Sequence, residues 1–144
     1  MTTQLKQLIA QRVHEYYHHY DYNCAKTTLL TLGEVFNIPV PDPLLAAAVG
    51  MHGAGGTRAQ CGLVEGTLLF IGYAGSRMGV AEPEIVAACG EFAKAFVDRF
   101  GSLQCRELRR GGFQKTDPPH LCETLSVNSV LFSAEFLEIR WNFT

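Results

Sequence analysis

The feature that most constrains the fold is one segment, Met51–Gly72, which reads MHGAGGTRAQCGLVEGTLLFIG. A glycine-rich loop, Gly53–Gly56, leads to Cys61, and an apolar run of helical character follows it. Because Gly62 and Gly66 are four residues apart, they share one helix face and allow another backbone or a cofactor to approach closely. The segment therefore predicts a helix that begins at Cys61 and lies at the centre of the fold.

Helical periodicity extends over most of the chain, and no segment shows the convincing alternation of apolar and polar residues typical of a strand. Capping residues, prolines and glycines mark the helix ends. The predicted helices are Thr3–Tyr20, Cys24–Phe36, Pro43–Val49, Cys61–Tyr73, Pro83–Phe100, a short one capped by Ser102, and Pro118–Ile139. We expect one all-α domain over residues 1–144, a bundle of six or seven helices with the Cys61 helix central.

Length and charge exclude several classes of function. A chain of 144 residues suits one domain with its own core. The net charge of −2 gives no basic excess, so we expect no nucleic-acid partner. No apolar run reaches the roughly 18–20 residues of a membrane span, and the first residues lack the pattern of a secretory signal. We expect a cytoplasmic protein without membrane insertion, and a homodimer is compatible with so apolar a chain.

The cysteines are the residues with the most evident chemistry. There are five, at positions Cys24, Cys61, Cys89, Cys105 and Cys122. Their odd number argues against a fully paired disulfide framework, and widely spread cysteines in a reducing compartment are more often metal ligands or redox groups. No CxxC pair occurs, which excludes thioredoxin-type and zinc-ribbon signatures. Cys89 falls in the middle of a predicted helix, and we interpret it as part of the core.

The other four cysteines each fall in the first turn of a predicted helix. The unpaired N–H groups and the dipole at a helix start favour a thiolate, so we expect lowered thiol pKa values there. Four thiolates brought together without a cation would repel one another strongly. The pattern therefore indicates either metal ligands or thiols that pair as dithiol and disulfide.

Histidines supply two further candidate ligands. His14 and His18 are four residues apart on the first predicted helix and could bind a metal, but a solvated polar face is the more common explanation of such a pattern. His120, two residues before Cys122, is the strongest non-cysteine candidate ligand near the four thiols. Arginines, among them Arg106 and Arg109, surround Cys105 in the sequence. They either lie near its thiol or form a solvated cationic end of the helix.

These residues also carry a family resemblance. The stretch Cys61–Gly66, CGLVEG, resembles the Cys-Gly-Ala-x-x-Gly signature of the C_GCAxxG_C_C family, with Leu63 where that family usually has alanine. The other matching stretches are Asn23–Ala25 around the first family cysteine, Phe100–Leu108 around the third, Cys122 as the fourth, and Gly53–Gly56 as the glycine-rich lead. The resemblance covers roughly residues 20–125, and the family does not require Cys89.

The resemblance implies redox chemistry through the cysteines and no particular substrate. The family is similar to a domain of split-Soret cytochromes that is associated with an iron–sulfur centre of the [2Fe–2S] kind. The resemblance therefore implies an iron–sulfur protein that acts in electron transfer or redox sensing and exchanges electrons with an unidentified redox partner protein. The ligands would be Cys24, Cys61, Cys105 and Cys122, or three of them with a fourth ligand from elsewhere. The residues expected around the cofactor are Gly55, Gly56, Arg58, Gly62 and Gly66.

Two other hypotheses stay open at the level of sequence. One is a metal-free thiol–disulfide or sulfur-relay protein, in which Cys61 is the activated thiol and another of the four cysteines resolves it. The other is a non-catalytic protein, either with a structural zinc ion or acting as a helical partner-binding module. No residue set indicates a site of substrate turnover.

Overall fold

The chain folds into α-helices joined by loops. The computed structural model describes residues 3–109, 120 and 122–142. In these ranges the helical elements are α1 (Thr3–His18), α2 (Cys24–Val35), α3 (Asp42–Ala47), α4 (Gly53–Gly56), α5 (Gly62–Arg77), α6 (Glu82–Phe100), α7 (Cys105–Leu108) and α8 (Glu123–Trp141). Element α4 is a single turn in which all four residues have positive φ, so it is not a regular right-handed α-helix. The same ranges hold no β-strand, and none of their helices is long and apolar enough to cross a bilayer. The all-α prediction is confirmed.

Helix α5 is the central helix, as predicted, and packs against α2, α6 and α8. Its residues Val64 and Phe70 are fully buried. The α6 residues Phe92 and Phe96 are also fully buried and meet the α8 residue Phe132 at ring-centroid distances of 6.0 and 6.4 Å. One aromatic part of the core therefore lies between α6 and α8, and α1 and α2 add fully buried residues such as Val13 and Leu29 on the other side of α5.

The end of α5 differs from the prediction. The sequence predicts a loop from Gly75 to Ala81, but α5 continues to Arg77. Gly75 is buried, and a Cβ at that position would lie 2.9 Å from atoms of both Ile85 and Trp141. This glycine therefore provides close packing inside a helix, because tertiary contacts outweigh its poor helix propensity.

Helices α2 and α5 approach each other at the two glycines that follow Cys61. A Cβ at Gly62 would overlap the Cys24 Sγ atom and lie 2.5 Å from the Met51 carbonyl oxygen. A Cβ at Gly66 would lie 2.7 Å from the Ala25 carbonyl oxygen. The predicted close approach is thus made by the backbone of α2, and it brings the start of α2 next to the start of α5.

Candidate functional site

A short stretch of backbone pairing places Cys61 beside Cys105. The Cys61 N–H donates to the Leu103 carbonyl oxygen at 2.8 Å, and the Cys105 N–H donates to the Ala59 carbonyl oxygen at 2.7 Å. Between these bonds lies an isolated antiparallel bridge at positions 60 and 104. The segment before α5 and the segment before α7 are therefore held side by side, each with its cysteine at the helix start.

Cys24 is held by the cap of α2. The Asn23 Oδ1 atom accepts a hydrogen bond of 2.8 Å from the Lys26 N–H, as expected of an N-cap residue. The Asn23 Nδ2 atom donates to the carbonyl oxygens of Ala48 and Val49, both at 3.0 Å. One side chain thus caps α2 and ties its start to the segment that leads into α5.

Cys122 is held by a polar cluster between α1 and α8. Its carbonyl oxygen accepts bonds from the Ser126 N–H at 2.8 Å and the Ser126 hydroxyl at 3.0 Å. The Ser126 hydroxyl also lies 2.6 Å from the Tyr17 hydroxyl. The His120 ring stacks on Tyr17 at 4.4 Å, and its Nε2 atom lies 2.8 Å from an Asp21 carboxylate oxygen. The start of α8 is therefore fixed against the end of α1.

Each of the four cysteines lies at a helix start, as predicted. Cys24 and Cys105 are the first residues of α2 and α7, whereas Cys61 and Cys122 immediately precede α5 and α8. The predicted start of the last helix at residue 118 lies outside the described residues.

The four cysteines line one small cavity of about 40 Å³. The other described residues that line it are Leu63, Leu108, Arg109, Leu125 and Ser126. Cys89 is absent from that lining and packs against the core, in agreement with its interpretation as a core residue. Four segments distant in sequence therefore converge on one point through their cysteines.

A wider cleft adjoins the small cavity. Its volume is about 430 Å³, and three of the four cysteines, Cys24, Cys105 and Cys122, also line it. Polar and charged lining residues of the cleft include Tyr22, His52, Arg58, Arg109 and His120. The cysteine site thus has an outer compartment with cationic and imidazole side chains.

The four cysteines share one cavity, but their sulfur atoms are not as close together as the ligands of a single metal ion. All five cysteines are free. No three of the cysteine sulfurs lie within 4.8 Å of one another. Among the described residues, the only three metal-ligating side chains whose ligand atoms do so are His14, His18 and Glu123. A tetrahedral zinc ion with Zn–S bonds of about 2.3 Å needs sulfurs about 3.8 Å apart. The arrangement is therefore more open than a preformed single-zinc site.

The predicted lowering of the thiol pKa is wrong for the buried cysteines. Burial raises the pKa of Cys24 to about 12 and that of Cys61 to about 11. The backbone N–H groups of Leu63 and Val64 lower the pKa of Cys61, but loss of solvation outweighs them. Both thiols are therefore neutral at pH 7 in the metal-free protein.

Cys105 has a different environment. Burial and the nearby Cys122 raise its pKa, whereas Arg109, Arg58 and Arg106 act in the opposite direction. It is also less buried than Cys61, which is only 5% exposed. The cationic surroundings expected for the thiols are therefore concentrated at Cys105.

The glycines and the arginine predicted near a cofactor fall into three groups. Gly56 and Arg58 line the wider cleft, and their role there stays a prediction. Gly55 is exposed, and a Cβ at that position would contact nothing within 4 Å. Gly62 and Gly66 pack closely against α2, and a cofactor role for them stays a prediction.

Sequence reasoning missed Tyr17 as a site residue. Tyr17 is a buried residue of α1, and it also lines the cleft. Its pKa is raised well above the ordinary value by burial and next by the nearby Cys24. Only the packing of α1 against α8 places it there.

Comparison with known proteins supports the reading of the motifs. The family model described as "Putative redox-active protein (C_GCAxxG_C_C)" matches residues 22–136. This range includes all four cysteines of the cavity, and it covers most of the chain. No curated protein and no solved structure shows significant similarity. The chain therefore belongs to the C_GCAxxG_C_C family.

Proposed function

We propose that the protein is a cysteine-based redox protein that holds an iron–sulfur cluster for electron transfer or redox sensing. The ligands are Cys24, Cys61, Cys105 and Cys122. One observation carries the proposal: four cysteines from four separate segments line the same small cavity. The fifth cysteine, which the family motif does not include, lies elsewhere.

The donor set fits such a group. Iron–sulfur clusters are held by cysteine thiolates, and among the described residues that line the small cavity there is no carboxylate or imidazole. Three leucines among the described lining residues lower the local polarity. In a [2Fe–2S] cluster each iron takes two of the four cysteine sulfurs, so only two sulfurs at a time need the close spacing that one zinc ion imposes on all four. The open spacing of the sulfurs therefore favours a cluster over structural zinc.

The small cavity alone offers little room for a cluster. A cavity of about 40 Å³ has room for a few water molecules, since one needs roughly 10–15 Å³ by this measure. Cys24, Cys105 and Cys122 also face the cleft of about 430 Å³, so a larger group has space on that side. We therefore expect loading to turn the cysteine side chains toward the cleft.

When bound, the cluster supplies a centre that accepts and releases single electrons. The chain contributes the surroundings that set its reduction potential: hydrogen bonds to sulfur, local charge and solvent exposure. The Leu63 and Val64 N–H groups near Cys61 and the Arg109 side chain are in position for the first two.

The metal-free thiol–disulfide alternative is favoured by one observation, the backbone pairing that places Cys105 next to Cys61. In that mechanism Cys105, with arginines around it, attacks a disulfide of a partner and forms a mixed disulfide while one partner thiolate leaves. Cys61 then loses its proton to solvent and displaces the second partner thiolate. The products are a Cys61–Cys105 disulfide and a reduced partner. The buried position of Cys61 makes it the resolving thiol, not the activated thiol expected from sequence.

The test is anaerobic reconstitution of the full chain with ferrous iron and sulfide, followed by iron and sulfide analysis and visible absorbance. We expect stoichiometric iron and sulfide in the wild type and in Cys89→Ser, the matched control. Serine substitution of each of the four cavity cysteines should lower iron retention strongly. A colourless, iron-free wild type after reconstitution would refute the proposal. A defined Cys61–Cys105 disulfide in that iron-free protein, found by mass spectrometry after oxidation, would support the alternative.

A further inference from the structure

A second group of metal-ligating side chains lies on the surface between α1 and α8. His14 Nδ1 is 3.0 Å from Glu123 Oε2, and His18 Nε2 is 2.6 Å from Glu123 Oε1. One ligand atom from each residue lies within 4.8 Å of the other two. We propose that these three side chains form a binding site for a divalent transition-metal ion of the zinc class, separate from the cysteine cavity.

The backbone already provides the convergence that such a site needs. His14 and His18 are one helical turn apart on α1, and their ring centroids are 4.3 Å apart. Glu123 comes from the first turn of α8 and presents one carboxylate oxygen to each imidazole. Ligand bonds of about 2.0–2.2 Å place neighbouring ligand atoms roughly 3–3.5 Å apart. Because the ligand atoms already lie within 4.8 Å of one another, they have to move by at most about 2 Å to reach that spacing. Rotation of the side chains is enough for this, so no helix has to move.

The donors select the kind of ion. Two imidazole nitrogens suit zinc, cobalt, nickel or copper, whereas magnesium and calcium prefer oxygen ligands. The side chains of His14, His18 and Glu123 are 58%, 44% and 31% exposed. An ion there can be reached from solvent and keeps coordination positions for water. A set of two histidines and one carboxylate with an open position is a known zinc ligand set.

Binding at this site couples to the fold. The histidines and Glu123 are more than a hundred residues apart in sequence, so the unfolded chain does not hold them together. An ion that binds the native arrangement alone stabilises it by a free energy that grows with the logarithm of the ion concentration once this exceeds the dissociation constant. Because Glu123 follows Cys122 directly, the ion would also fix the start of α8 at the cysteine cavity.

The test uses Co²⁺ as the probe on the reduced full chain. Cobalt bound by nitrogen and oxygen shows weak visible bands, and cobalt bound by thiolate adds a strong near-ultraviolet charge-transfer band, so the two sites are distinguished in one titration. We expect one equivalent of the nitrogen–oxygen type. His14→Gln and His18→Gln should each weaken its binding at least tenfold, while His19→Gln, on the same helix end but outside the group, should leave it unchanged.

Two further measurements keep the test decisive. Circular dichroism checks that each variant is folded, and thermal unfolding should show a rise in midpoint with Co²⁺ in the wild type and His19→Gln but not in His14→Gln. The inference is wrong if Co²⁺ gives only the thiolate signature, or if His14→Gln and His18→Gln bind it as tightly as the wild type. It is independent of the proposed iron–sulfur function, since the thiolate band and iron content report on that site separately.

Discussion

The substitution Gly62→Ala tests the contact that brings Cys24 to the cysteine cavity. A Cβ at this position overlaps the Cys24 sulfur and lies 2.5 Å from the Met51 carbonyl oxygen, so both a site residue and backbone must move. Overpacking of this kind costs roughly 1–3 kcal/mol. Because one of the obstructing atoms is backbone, we expect the upper part of that range. The α2 start should shift away from α5 and carry Cys24 with it.

Gly72→Ala is the matched control in the same helix. A Cβ there meets nothing within 4 Å, so only helix propensity changes, which favours alanine by about 0.8–1 kcal/mol. Urea unfolding followed by circular dichroism should separate the two variants by about 3–4 kcal/mol, and Gly62→Ala should also retain less iron after reconstitution. Equal stability of the two variants would contradict the contact between α2 and α5.

Three other results follow from the site. In the metal-free protein the pKa values of Cys24 and Cys61 are raised, so these thiols lose their protons at lower pH in the unfolded chain than in the folded one. The free energy of unfolding is therefore constant below about pH 8 with respect to these thiols and falls as the pH rises through about 9. Since the ordinary value is 9.0, we expect a loss of about 1.4 kcal/mol per thiol at pH 10, and Cys24→Ala should remove its share in a pH series of urea unfolding. Asn23→Ala removes the cap of α2 and two bonds to carbonyl oxygens, and it should cost about 1–2 kcal/mol in thermal unfolding. In timed alkylation with mass spectrometry, Cys105 should react faster than Cys61; the reverse order would show that the burial of Cys61 is wrong.

The helices were largely predictable because their signals are local. Pro83 and Gly101 mark the ends of α6, and Gly101 adopts the left-handed conformation expected after a helix, with φ of 97°. The continuation of α5 through Gly75 was not predictable, because the reason is a contact with Ile85 and Trp141. A glycine that packs and a glycine that ends a helix look alike in one sequence.

The site was predictable in its members but not in its electrostatics. The positions of Cys24, Cys61, Cys105 and Cys122 at helix starts follow from capping signals and from the family motif. Their burial depends on how α1, α2, α5 and α8 pack, and burial decides the direction of the pKa shift. The role of Tyr17 and the meeting of His18 with Glu123 depend on the same packing, which no local pattern contains.

The way the cavity is built favours a bound group over independent thiols. Its four cysteines come from the starts of α2, α5, α7 and α8, so a group bound by all of them joins four elements at one end of the bundle. Because such a set of ligands is brought together only in the folded chain, the free energy of binding the group adds to the free energy of folding. A thiol relay needs two cysteines, one of them accessible, and gives no reason to bring Cys24 and Cys122 to the same 40 Å³ as Cys61 and Cys105. A polynuclear centre needs all four, and the convergence of four helix starts on one cavity is then a requirement of the chemistry.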